Sequence, residues 1–340
     1  MIDTLKQLVE IPSPSGMTDE AIEFVEQQLA KLDVKTKRLN KGALLATFDG
    51  KVGPARLLTA HVDTLGAMVK EILPSGRLRL TQVGGYAWTA IEGENCLVHR
   101  ESNEAVEGTI LVHQSSVHVY RDTNSAERSA SNIEVRLDAD VHSEEDVRAL
   151  GIEVGDFVSF DPRFKQTDTG YIKSRHLDDK ASVAILLDLA RDLVAAELPH
   201  PVHYLISNYE EVGFGGNAGI PDDVVEYIAV DMGALGDGQH SDEYTVSICA
   251  KDSSGPYDLK LRRQFTSICR DEGIAFKIDV YPFYGSDASA AVSAGHDVRH
   301  ALVGPGIESS HSYERTHVSS LEATRKLLHR YVLSRMEGHV

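Results

Sequence analysis

Three apolar runs in this chain stop at acids or a histidine. A chain that repeats this pattern has few folds open to it. Arg56-Leu-Leu-Thr-Ala60 leads into His61-Val62-Asp63, Val202-His-Tyr-Leu-Ile-Ser-Asn-Tyr209 into Glu210-Glu211-Val212-Gly213, and Val224-Val-Glu-Tyr-Ile-Ala-Val230 into Asp231. Short apolar runs bounded by polar turns read as buried strands. Where such strands alternate with helical stretches, the expected product is a mainly parallel sheet covered on both faces. Ligands of open α/β sheets bind at the carboxyl ends of the strands, which is where these acids and His61 fall. Carboxylate oxygen and imidazole nitrogen are donors for divalent metals, so the pattern points to a metal site of hydrolytic type.

At 340 residues the chain exceeds one compact core. Ile2, Leu5, Leu8 and Val9 stand at helical spacing, and Thr18 is placed to cap a second helix bearing Ile22, Val25, Leu29 and Leu32. From about 66 to 166 the pattern changes to short β-rich runs separated by Gly and polar turns, as in a small barrel or sandwich. Beyond 170, helices over about 179–197, 257–272, 286–294 and 319–335 alternate with strands near 202–208, 224–230, 244–250 and 276–281. The fold expected is α/β, a mainly parallel sheet flanked by helices, with an inserted small β-barrel domain. Residues 1–65 and 167–340 would form the catalytic domain and 66–166 the insert.

A net charge of −18 argues against a nucleic-acid partner or an anionic membrane surface. No apolar stretch approaches the ~20 residues of a membrane span, and Met1–Glu10 lacks the basic start of a signal peptide. Cys96, Cys249 and Cys269 are too few and too scattered for a disulfide framework; they read as buried filler in a reducing compartment. The expected location is cytoplasmic. With 52 acids in the chain, pairs such as Asp178-Asp179 and Glu210-Glu211 occur as often as chance provides. Their position at sheet edges is what marks them.

The order Ala60-His-Val-Asp63, Leu177-Asp-Asp-Lys180, Glu210-Glu-Val-Gly213, Val230-Asp231 and Ser310-His311 resembles that of the dinuclear metallo-aminopeptidases of the tetrahedral, glutamyl-aminopeptidase-like family. The likeness extends to the opening Leu8-Val-Glu-Ile-Pro-Ser-Pro-Ser-Gly16 and to the β-rich insert. It implies a metallopeptidase core of phosphorylase/hydrolase type and two divalent ions per subunit, zinc or cobalt. His61 and Asp231 would hold one ion, Glu211 and His311 the other, and Asp178 would bridge them. Glu210 would act as general base and acid in the attack of a metal-activated water, and Asp63 would orient the His61 imidazole. The substrates implied are short peptides, cut at the N-terminal residue, and the insert would build dimers into a homo-oligomeric dodecamer.

The chain departs from the family pattern at Thr64 and Lys180, and His317 stands as a second candidate beside His311. These departures resemble a bacterial branch associated with an N-acetylglutaminylglutamine amide osmolyte, which would suggest a small Gln/Glu-type dipeptide as substrate. Rival readings are a metallo-carboxypeptidase or amide deacylase of the same superfold, or a catalytically silent assembly protein. A paired-carboxylate glycosidase would leave His61 and His311 unexplained. Asp287, in Gly285-Ser-Asp-Ala-Ser289, either caps a helix or reaches the site; His113 and His118 in the insert read as surface or interface residues rather than metal ligands.

Overall fold

The computed structural model describes residues 1–51, 53–102 and 104–336. They form two compact units, one from Met1–Asp63 with the chain from Arg163 onward, the other from Thr64–Pro162. The first opens with helices α1 (Ile2–Val9) and α2 (Asp19–Ala30), then strands β1 (Lys35–Arg38), β2 (Leu44–Phe48) and β3 (Ala55–His61). The second holds strands β4 (Gly66–Ile72), β5 (Leu78–Val83), β6 (Asn95–His99), β7 (Ala105–Val112) and β8 (Ile133–Leu137), helix α3 (Glu144–Ala149) and strand β9 (Phe157–Phe160). The first unit resumes with β10 (Lys165–Gln166), β11 (Tyr171–Ser174), α4 (Leu177–Leu193), β12 (Val202–Ser207) and β13 (Val224–Val230). It continues through β14 (Gly233–Ala234), β15 (Val246–Lys251), α5 (Leu259–Asp271), β16 (Phe276–Val280) and α6 (Asp287–Ser293). It ends with β17 (Arg299–Ile307), β18 (Glu314–His317) and α7 (Val318–Val332).

The main sheet runs β1-β2-β12-β3-β13-β17-β15-β16, with β14 added beside β17. Its centre is parallel: β12, β3, β13 and β17 pair in one direction, while β2 and β15 join it antiparallel. Successive side chains on a strand point to opposite faces, and the sequence fills both. Leu58 and Ala60 of β3, Ile228 and Val230 of β13, and Ala301 and Val303 of β17 enter one core with α1, α2, α4, α5 and α7. The alternate residues Leu57, Tyr227, Ala229 and Leu302 enter a second core with Ala288 and Ala291 of α6. Helix α4 is buried nearly all round, as suits a helix enclosed by others; Leu177, Ala181, Val183, Ile185, Leu186, Leu189 and Leu193 are all buried.

Arg56 of β3 lies among these apolar residues fully buried, so its charge must be met in place. Its Nε donates to Glu226 Oε2 at 2.8 Å, and Nη1 donates to the carbonyls of Tyr331 and Ser334 at 2.6 and 2.9 Å. Arg299 and the Tyr331 hydroxyl also donate to Glu226, at 2.7 and 2.6 Å. The end of α7 is thereby tied to the floor of the sheet.

The second unit is a closed antiparallel barrel of order β4-β5-β8-β7-β6-β9. Val69, Leu80, Val98, Ile110, Val135, Val158 and Phe160 fill its interior. Helix α3 is capped by Ser143, whose hydroxyl accepts from the Asp146 N–H at 3.2 Å.

Two local expectations change. Thr18 stands at the start of α2 without a side-chain capping bond; its hydroxyl instead accepts from Asn208 Nδ2 at 3.2 Å, beside the site. The nine-residue β17 is absent from the strands expected, because Gly304-Pro305-Gly306 reads as a turn. The glycines there serve close packing: a Cβ on Gly304 would stand 1.8 Å from the Asp231 carbonyl oxygen, and one on Gly306 1.9 Å from that of Asp242.

Candidate active site

The parallel strands at the sheet centre deliver their last residues to one place. His61 ends β3, Glu210 and Glu211 follow β12 in a short helical turn, and Asp231 follows β13. Asp178 joins them from the first turn of α4, and His311 from the turn between β17 and β18. His311 has a φ of 65° and His176, just before α4, one of 68°; this is the left-handed region that residues with a side chain rarely enter. Such conformations concentrate at functional sites.

Asp178 is the centre of the cluster. Its Oδ1 is 3.3 Å from His61 Nε2 and its Oδ2 3.5 Å from His311 Nε2. Glu211 Oε2 lies 3.4 Å from the same His311 nitrogen, and Glu210 Oε2 lies 3.7 Å from His61 Nε2. Two groups therefore form around one shared carboxylate: His61, Asp178 and Asp231, and Asp178, Glu211 and His311. Within each group the donor atoms lie within 4.8 Å of one another.

His61 Nδ1 is 2.9 Å from the Asp63 carbonyl, leaving Nε2 buried, turned to the cluster and without a hydrogen-bond partner. The Asp63 carboxylate itself is taken up elsewhere. Its Oδ1 accepts from the Glu210 N–H at 3.1 Å, and its Oδ2 accepts from the Glu211 N–H at 3.2 Å and from Ser15 Oγ at 2.5 Å. Asp63 thus orients the glutamate turn through its carboxylate and His61 through its carbonyl. Asp179 Oδ2 accepts from the His61 backbone N–H at 3.2 Å.

Acids packed this closely raise one another's pKa. Burial first, then the charge of Asp178, pushes Glu211 up to about 8 and Asp231 to about 7. Burial and the charges of Asp231, Asp287 and Glu211 drive Glu210 well above the usual range, against the pull of His61. Asp178 goes the other way: burial opposes its charge, but His311 and His61 on its two oxygens hold it below the usual carboxylate range. Mixed carboxylate and imidazole donors, an unpartnered buried imidazole nitrogen and crowded acids are the setting a pair of divalent cations would relieve. The residues present fit such a pair.

One neighbour, Glu314, was not legible beforehand, and others named from the sequence take definite places. Glu314, 2% exposed, accepts from the backbone N–H of Asp178 at 3.1 Å and of His311 at 3.2 Å, fixing one residue from each side of the cluster. Its only signal is the His311-Ser-Tyr-Glu314 spacing. Ser310 Oγ donates to Asp178 Oδ2 at 2.9 Å. Asp287 follows the helix-capping Ser286 and accepts from the Gly216 N–H at 2.6 Å and from Ser207 Oγ. Lys180 is fully buried, donates to the Ile11 carbonyl at 2.6 Å, and is lowered by burial to about 7. His317 stays outside the cluster: it caps α7, with Nδ1 3.0 Å from Ser319 Oγ and Nε2 2.9 Å from the Thr169 carbonyl.

The cluster opens into a cleft of about 880 Å³ lined by Asp178, Glu210, Glu211, Asp231 and His311 together with the start of α6. The M42 glutamyl aminopeptidase profile matches residues 42–327. The Bacillus subtilis (strain 168) protein YhfE is 55% identical over 98% of both chains. Lysyl aminopeptidase of Pyrococcus furiosus is 24% identical over 63% of this chain and 60% of its own. The Pyrococcus horikoshii TET1 peptidase superposes with a TM-score of 0.88 at 26% identity, covering 98% of this chain and 99% of that one. A structure and site of this kind define a peptide-bond hydrolase of the aminopeptidase class, and the chain belongs to the M42 glutamyl aminopeptidase family.

Proposed function

We propose that the chain is a di-metal aminopeptidase that removes N-terminal residues from short peptides, with Glu210 as general base and acid. The observation that carries this is the pair of donor groups sharing Asp178, with one further carboxylate, Glu210, beside them and outside both. His61, Asp178 and Asp231 would hold one ion and Asp178, Glu211 and His311 the other, zinc or cobalt. When bound, such ions polarise a scissile carbonyl and lower the pKa of water towards neutrality.

The protein's own groups supply the rest. Glu210 takes the proton from the attacking water and returns it to the departing amine. Asp63, through the N–H groups of Glu210 and Glu211, keeps one glutamate on the metal group and the other on the substrate side. Asp178, held by Glu314 and Ser310, stays ionised between the two histidines. A free α-ammonium group entering the cleft meets carboxylates, which favours an unblocked N-terminus over a C-terminal carboxylate.

The barrel, residues 64–162, would mediate dimers of a homo-oligomer. The P. horikoshii TET1 peptidase is described as assembling into a tetrahedron or a large octahedral shell, which supports a closed dodecameric assembly here; a cytoplasmic location remains part of the proposal. Metal-stripped protein reloaded with zinc or cobalt should cleave aminoacyl-anilides and leave N-acylated peptides intact. Cleavage confined to blocked or C-terminal substrates would replace this reading with the deacylase or carboxypeptidase one.

A further inference from the structure

The aminopeptidase reading leaves open which side chain the first residue of the substrate carries, and the inference below rests on that reading. Beyond the metal cluster the cleft is lined by Ser286, Ser289, Ala290 and Ser293 in and before α6 and by Met232 and Leu235 after β13. Phe283 stands at its rim, 97% exposed. Among the described residues, the charged groups on the lining other than His311 are all acids, with no lysine or arginine. Lys41, whose ammonium reaches Asn217 on the wall at 2.9 Å, has three donors. It directs them to Asn217 Oδ1 and to the Phe214 and Gly215 carbonyls.

The hydroxyls on the α6 wall are oriented from behind. Asp252 is fully buried there, and Ser289 Oγ donates to its Oδ2 at 2.6 Å. The Tyr257 hydroxyl donates to the same oxygen at 2.7 Å. Tyr257 has therefore spent its proton, so at 2.8 Å Ser286 Oγ is the donor to the Tyr257 oxygen. Both serines thus have acceptors for their protons behind the wall. What they can offer a ligand is lone pairs.

Beyond the groups that would hold the ions, a side chain in this cleft meets Asp287 and the oxygens of Ser286 and Ser289, and no lysine or arginine among the described residues. An amide NH2 or an ammonium finds partners here. A carboxylate would have to shed its water and face acids and acceptors, which is costly for an unpaired charge. Aliphatic side chains have Met232, Leu235, Ala290 and Phe283 to contact. The family profile is named for glutamyl substrates and a relative for lysyl ones, so membership does not settle the choice. We propose that the cleft selects first residues whose side chain is neutral or carries N–H donors, and selects against acidic ones.

Glutamine and glutamate test this cleanly, because they share a shape and differ in an NH2 against a charged oxygen. Metal-reloaded protein is given Gln-, Glu-, Lys- and Leu-first substrates with the same leaving group. Gln should exceed Glu in kcat/KM by at least about tenfold, with Lys and Leu cleaved faster than Glu. In the Ala290→Lys variant, checked for fold by circular dichroism and for metal content, an added cation should shift the Gln/Glu ratio towards Glu by about tenfold. Glu cleaved as fast as Gln would overturn the proposal and leave the aminopeptidase reading standing. No cleavage of any of the four would overturn that reading and the proposal with it. If the variant does not fold, the wild-type Gln/Glu ratio decides alone.

Discussion

Asp63 accepts hydrogen bonds from Ser15 Oγ and from the backbone N–H groups of Glu210 and Glu211. It was legible as an acid two residues from His61; that its carboxylate serves the glutamate turn was not, because that bond joins residues far apart in the chain. Ser15 lay inside a stretch noted only for resemblance. Hydrogen bonds to a charged group contribute about 1.5–3 kcal/mol, so Ser15→Ala should lower kcat by roughly tenfold or more through a loosened Glu210, with KM little changed. Ser15→Thr, which restores the hydroxyl, should recover most of the rate; a rise in KM at constant kcat would show that Ser15 acts on binding instead. The three thiols give a second check. Burial pushes Cys96, Cys249 and Cys269 each up to about 12. The reactive form is the thiolate, so at pH 8 a disulfide reagent should find almost no reactive cysteine in the native protein and all three after denaturation.

At the scale of elements, the strands ending in the site residues were readable because each is a short apolar run closed by a polar turn. Of the strands not read, the longest, β17, carries Gly304-Pro305-Gly306, and single-chain pattern reading takes that as a break. What it encodes is contact: β17 passes so close to the residues after β13 that no Cβ fits at 304. Gly304→Ala must displace Asp231, and the variant should lose an ion from the His61 and Asp231 group, with reduced activity, as measured by metal content per chain. Full metal content and activity would contradict the role given to this contact. The Arg56–Glu226 pair was invisible for a related reason, since its partners lie on different strands. Removing the acid strands a buried guanidinium, a change that costs about 3–5 kcal/mol. Glu226→Ala should lower the unfolding free energy by that order, read by denaturant titration, and the site geometry plays no part in the loss.

For the whole molecule, the α/β fold and the inserted barrel followed from the switch between alternating helix and strand and an uninterrupted run of short strands. Assembly did not follow, because an interface between copies leaves no periodic mark along one chain. A dodecamer is the outcome expected by light scattering; a monomer at working concentration would contradict the shell reading while leaving the site untouched. The pair of metal ions flanked by a dedicated base is decided by metal content measured together with turnover. Wild-type protein stripped and reloaded should bind two ions per chain and cleave free-amine substrates, and Glu210→Gln should keep both ions and lose turnover. One ion or none in the wild type, or a Glu210→Gln variant that turns over at the wild-type rate, would contradict it.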